Sequence, residues 1–372
     1  MDIFSSGAVL CGASAYQWFR IPPFVRETLD DGIGLAPRAA GRLSRLGYLD
    51  APVSLLASNR GSMHRVKGVA FRYWSAELLP GELEGVGSDL AVTSPELTLL
   101  MLASKVSALH LALMMSEMCG GFSSVHLSEE DAEAVRMGVQ QGVFAYAGWA
   151  PLFTNERGMP DTRAAAGSVL SDLWQRDALT SRDKLRTCAK RHAGVQGIER
   201  FTRALDDAVE GARSPFEVQT AILLTLPRNR GGEGFELQGM NVPVTLSKRA
   251  REILDQERCY IDLLFSGPEG CPGVAVECQG RSVHGTSGQA VKDVRRVAAL
   301  EAMGYRVLSI TYDMISNAAA CHQMVHLLAE KMGVPYRDKT EFLLKKEIDL
   351  RAELFCEWNR LGMMPASKRG RR

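Results

Sequence analysis

Apolar and polar positions change their period several times along the chain. Residues 1–125 mix short β-like runs, AVLCG at 8–12, VSLLAS at 53–58 and VAFRYW at 69–74, with Gly and Pro punctuation. They finish in the apolar stretch LTLLMLASKVSALHLALMMSEM at 97–118, which reads as one buried helix opening at Ser94-Pro95. This pattern predicts a small α+β module. Residues 126–205 read as a helical connector: Ser128-Glu129-Glu130-Asp131 is a capping-box start, and 181–210 alternates basic and apolar residues at helical spacing.

From Ser214 the elements alternate quickly. The pattern predicts a helix over 214–226, β-runs near 235–245, strands over 258–265 and 273–279, a helix over 288–303, a strand over 306–312 and a helix over 316–332. Residues 206–335 thus form an α-β-β-β-α-β core with helices on both sides of a central mixed sheet, within an α/β (α+β overall) chain. Residues 336–372 are a charged helical tail ending in Lys368-Arg369-Gly370-Arg371-Arg372.

With 46% hydrophobic and 23% charged residues among 372, the chain can build a core and is no disordered polymer. Its 44 Lys plus Arg against 43 Asp plus Glu leave a net charge of +1, so nucleic-acid binding must come from local patches. Lys105 and His110 inside 97–118 make that stretch a core helix rather than a membrane span. The eight cysteines contain no CxxC pair and fit neither a zinc ribbon nor a disulfide framework; reduced thiols in a cytoplasmic protein are expected.

The candidate chemistry lies in RCYIDLLFSG at 258–267 and PGVAVECQG at 272–280. Alternation puts Cys259, Ile261, Leu263 and Phe265 on one face of the first strand and Tyr260, Asp262 and Leu264 on the other. In a hairpin, Asp262 and Glu277 project together, with Gln279 two residues along. Carboxylates inside apolar strands need compensation, and Mg²⁺ or Mn²⁺ is the natural guest for two that converge. The other reading is an ion pair with Arg258, Arg281 or Lys292 at a sheet edge. Glu217 is explained fully by a capping box with Ser214, or else adds a third acidic group. His284, in a Gly-flanked loop, can reach a phosphate or be merely exposed. Arg228, Arg230, Arg281 and Arg296 are candidates for phosphate contacts, each with ordinary surface as the alternative.

The run VAVECQGRSVHG at 274–285, followed by KDVRRVAALEAMGYRVLSITYDMI at 292–315, resembles the very-short-patch-repair endonuclease branch of the PD-(D/E)XK superfamily. SPFE at 214–217, LPRNRGGEGF at 226–235 and Ile261-Asp262 match its other landmarks, so the similarity covers 205–333. The resemblance implies a restriction-endonuclease-like core, Asp262 and Glu277 as metal ligands, Glu217 as the helix carboxylate and His284 as the active-site histidine. Gln279 departs from it, standing where the superfamily has Lys and this branch often has Asp. VLCGASAYQWFRIPP at 9–23 and VTSPELTLLMLA at 92–103 resemble the effector part of AbiEi-type antitoxins of abortive-infection systems, without the winged helix-turn-helix that usually precedes it.

These readings lead to a Mg²⁺-dependent DNA endonuclease, hydrolysing phosphodiester bonds in phage defence or a toxin–antitoxin system. The rival is a catalytically inactive nuclease fold acting as a DNA-binding or regulatory module, and a third is an antitoxin that binds a separate toxin. DNA and a cognate toxin or defence-system protein are the expected partners, and no membrane is expected.

Overall fold

Among the described residues, six serines start helices. Ser94, Ser107, Ser128, Ser181, Ser214 and Ser247 each accept a hydrogen bond from the backbone N–H three residues on, satisfying a donor that the first helical turn leaves open. The computed structural model describes residues 8–30, 48–50, 52–63, 66–86, 90–143, 148–154, 160–161, 164, 167–279 and 287–362.

The first part comprises β1 (Ala8–Leu10), α1 (Gly12–Arg20), α2 (Pro23–Asp30), β2 (Val53–Ala57), β3 (Val69–Tyr73), β4 (Leu83–Gly85), β5 (Leu90–Thr93), α3 (Pro95–Leu102) and α4 (Ala108–Met118). Its strands form a mixed sheet in the order β3-β2-β1-β5-β4. The central strands β1, β2 and β5 are buried along their whole length, as expected of continuous apolar runs covered on both faces. The stretch 97–118 is two helices rather than one. Ser107 caps a new start, its hydroxyl accepting from His110 N at 3.1 Å, and the chain turns at 103–107 so that both helices bury an apolar surface.

Next come β6 (Phe122–Ser124), α5 (Glu129–Gln140), β7 (Trp149–Thr154), β8 (Pro160–Asp161) and β9 (Val169–Arg176). The strands make an antiparallel sheet ordered β6-β9-β7-β8. The helical reading of 126–205 is therefore corrected over 149–176. Pro151 and Phe153 are buried while their neighbours are not, which is a period of two. Helices α6 (Arg182–Arg191) and α7 (Ile198–Asp207) follow.

The last part contains α8 (Pro215–Thr225), β10 (Leu237–Thr245), α9 (Lys248–Leu254), β11 (Arg258–Phe265), β12 (Val274–Gln279), α10 (Ser287–Ala302), β13 (Arg306–Thr311), α11 (Tyr312–Ser316), α12 (Ala318–Met332) and α13 (Glu341–Leu354). Sheet order is β10-β11-β12-β13, antiparallel up to β12 and parallel between β12 and β13. One face packs Val274 and Val276 against Val218 and Ile222 of α8 and Val325 of α12, within the large core. The other packs Ile261 and Ala275 against Ala250 of α9 and Ala299 and Leu300 of α10. Helices thus lie on both sides, in the order α-β-β-β-α-β with the short α9 inserted.

The strict alternation expected along β11 does not hold. Cys259 and Ile261 belong to the small core, whereas Leu263 and Phe265 belong to the large one. Opposite them, β10 behaves alike: Val242 and Val244 face the small core and Met240 the large. The ladder pairs Met240 with Leu263 and Val242 with Ile261 but skips Asn241 and Asp262. Asn241 has a positive φ of 46°, a conformation that asparagine tolerates better than most residues. Both strands turn over at this pair.

The large core runs through the whole chain, from Leu10 and Leu111 through Phe153 and Phe201 to Leu328 and Trp358. All eight cysteines are free thiols. Among the described residues no helix is long and apolar enough to cross a membrane.

Candidate active site

The turn-over of β10 and β11 sets Asp262 at the point where β11 and β12 part. Their ladder runs from Phe265↔Val274 to Leu263↔Val276, and beyond it the Asp262 carboxylate bridges the strands, Oδ2 accepting from Cys278 N at 2.7 Å. Glu277, on β12, is buried. Its Oε2 accepts from Arg296 Nη1 of α10 at 3.2 Å.

Glu217 reaches the same region from α8. Ser214 caps that helix, and Glu217 closes the capping box, accepting from Arg213 N at 2.8 Å and from Ser214 Oγ at 3.1 Å. Its Oε2 also accepts from Asn241 Nδ2 at 2.7 Å, which ties the helix start to the turned-over strand. Burial and the nearby charge of Asp262 raise the Glu217 carboxyl from its ordinary 4.5 to about 7. The Cys278 thiol is pushed well above its ordinary range, first by burial and then by the charges of Asp262 and Glu217, with a smaller share from Glu277. Three carboxylates therefore act on one locus.

This donor set is oxygen-only and suits a hard cation such as Mg²⁺. Among the described residues, however, the group whose ligand atoms all gather within 4.8 Å is His322, His326 and Asp338. Glu217, Asp262 and Glu277 do not gather so closely. The Arg296 contact gives Glu277 a charge partner of its own. Arg296 was not among the partners that sequence suggested; of those, Arg281 and the Lys292 side chain lie outside the described residues.

Gln279 ends β12, exposed, opposite Thr311 of β13. His284 and Arg281 lie outside the described residues. Arg228 and Arg230 are not at this locus. Arg230 forms a two-pronged pair with Asp207, both contacts at 2.5 Å. Arg228 donates to Arg337 O at 2.7 Å and lies over the Tyr336 ring. Their turn is packed rather than open: a Cβ on Gly232 would fall 2.1 Å from Leu226 O, and one on Gly231 2.4 Å from Lys346 O. The glycines of PRNRGGEG let the turn press between α8 and α13.

Sequence reasoning missed Asn241 and Arg213. Asn241 sits inside a β-run where asparagine is disfavoured, the one signal that could have flagged it. Arg213 lies over the Tyr260 ring at 4.9 Å. Both line a cleft of about 620 Å³ with Arg176, Gln175, Asp177 and Trp149, residues brought there by the β6-β9-β7-β8 sheet. Burial lowers the Arg176 guanidinium to about 10.

The motif residues of the first part have structural partners. Ser14 Oγ accepts from Ser54 N at 2.8 Å, Ser94 caps α3, and Thr98 Oγ1 donates to Thr93 O at 3.0 Å. Comparison of the chain with protein-family models, with curated proteins and with solved structures returns no match.

Proposed function

We propose that this protein is a nuclease-fold phosphodiesterase of the PD-(D/E)XK type, acting on DNA with Mg²⁺ or Mn²⁺. The observation that supports this reading is the placing of Asp262 and Glu277 on adjacent strands of a sheet with helices on both sides, with the Glu217 carboxyl raised to about 7, by burial and by the charge of Asp262. Carboxylates that oppose one another's ionisation favour a cation between them. Asp262 and Glu277 would hold the metal, which when bound supplies polarisation of the scissile phosphate and a more acidic water. Glu217, held by Arg213 and Asn241, keeps Asp262 company from the helix side and stores a proton near neutrality. Gln279 orients water without supplying the charge of a lysine, and His284 serves the phosphate or the leaving oxygen. Arg213, which lines the adjoining cleft, would supply a positive charge to a phosphate backbone.

A second reading rests on the Arg296–Glu277 pair. An arginine on one metal ligand, together with Gln279, suits an inactive nuclease fold that binds DNA and works with a toxin or defence-system protein. Cleavage of supercoiled, linear and single-stranded DNA in Mg²⁺, Mn²⁺ or EDTA separates the two. The first reading expects metal-dependent cleavage that Asp262→Ala and Glu277→Ala each abolish while DNA binding persists. Binding without cleavage, unchanged by Asp262→Ala, overturns it in favour of the second.

A further inference from the structure

Helix α12 carries His322 and His326 one turn apart, the spacing that sets both imidazoles on one face. Their ring centroids are 4.6 Å apart and the planes cross at 78°. Both Nε2 atoms converge on one oxygen: Asp338 Oδ1 lies 2.8 Å from His326 and 3.4 Å from His322. One imidazole suffices to satisfy that oxygen, and the second adds a further nitrogen donor. In a tetrahedral zinc site with bonds of about 2.0–2.1 Å, neighbouring donors stand about 3.3 Å apart. The two Nε2–Oδ1 spacings, 2.8 and 3.4 Å, bracket that figure.

The third ligand is also placed independently of any metal. Tyr336 donates to Glu233 at 2.6 Å, and Lys339, only 2% exposed, binds Glu233 and Glu347 at 2.7 Å each and Gly231 O at 3.0 Å. Asp338 sits between these two anchors, and the Tyr336 ring meets His326 edge-on at 4.8 Å. The chain at Asp338 is thus held in place while its carboxylate stays exposed, which lowers the ordering cost of binding.

We propose that His322, His326 and Asp338 form a site for a borderline divalent cation, Zn²⁺ foremost, with two imidazole nitrogens, one carboxylate oxygen and solvent in the remaining position. Side-chain exposures of 38% and 41% for the histidines leave the ion an entry path. The nitrogen donors select against Mg²⁺, so this site is chemically distinct from the oxygen-only group at Asp262. A bound ion joins α12 to the segment that leads into α13.

The test is calorimetric titration of the full chain, stripped of metal with a chelator, with ZnCl₂. One ion per chain is expected, and since even outer-shell partners cost about 10–100-fold in affinity, His326→Ala or His322→Ala should weaken binding about 100-fold or more. Because free thiols can also take zinc, Co²⁺ is titrated in parallel. Ligand-field bands without a sulfur-to-cobalt charge-transfer band are expected. No zinc binding at millimolar concentration, binding unchanged in both histidine variants, or a thiolate band would each overturn the site. Circular dichroism of the variants, whose replaced side chains are partly exposed, checks that the fold persists.

Discussion

Glu217 shows how one side chain serves structure and chemistry together. It closes the α8 capping box, as its place three residues after Ser214 suggested, and it also sits close enough to Asp262 for their charges to oppose. An unfolded chain releases this proton near 4.5, whereas the folded chain holds it to about 7. The stabilising protonated form is therefore fully present below pH 4.5, and its contribution is lost as pH rises through 7; the span corresponds to about 3 kcal/mol. Denaturant unfolding of the wild type and Glu217→Gln from pH 5 to 8 measures it. The wild type should lose stability relative to the glutamine variant as pH rises, by up to about 3 kcal/mol. A difference that stays flat with pH would mean that neither burial nor the charge of Asp262 raises this carboxyl. The acidic residues were legible in the sequence because carboxylates inside apolar strands are costly. Asn241 was not, because nothing local tells which strand residue takes a positive φ.

Regularly bounded elements were readable, and irregular ones were not. The strands at 258–265 and 274–279 and the helix over 215–225 stand where alternation, Gly and Pro boundaries and the Ser214 cap put them. The turn-over at Asn241 and Asp262 escaped a reading based on a fixed period of two. So did the break between α3 and α4, because Ala103 and Val106 continue the apolar run across it and only Ser107 marks the new start. That serine caps α4 and also bonds Glu353 of α13, while His110 Nε2 lies 3.2 Å from Glu353 O. Ser107→Ala removes the cap and one tie between helices, and should cost about 1–2 kcal/mol in urea unfolding. An unchanged midpoint would show that packing alone holds the break.

On the scale of the whole molecule, the four segments visible in the sequence share one core. Glu117, buried in α4, is the clearest case: its carboxylate accepts from Tyr16 at 2.5 Å and Arg20 at 3.0 Å, from Ser124 N at 3.0 Å, and from Trp358 Nε1 at 2.9 Å. Trp358 lies more than two hundred residues further along, beyond α13, and also packs against Phe122. Such distant pairings cannot be read from local periodicity, which is why the segments looked separable. Trp358→Ala leaves a cavity, typically about 3–5 kcal/mol for a buried aromatic, and takes one donor from a buried carboxylate. The loss should spread to the first part of the chain. Hydrogen exchange compared between wild type and variant is expected to show faster exchange in α1 and α4 as well as beyond α13. If exchange quickens only after residue 336, the tail is an independent appendage, and removing it would leave the first two sheets intact. If α1 and α4 loosen with it, any shortened chain that keeps the first two sheets must also keep Trp358 to stay folded.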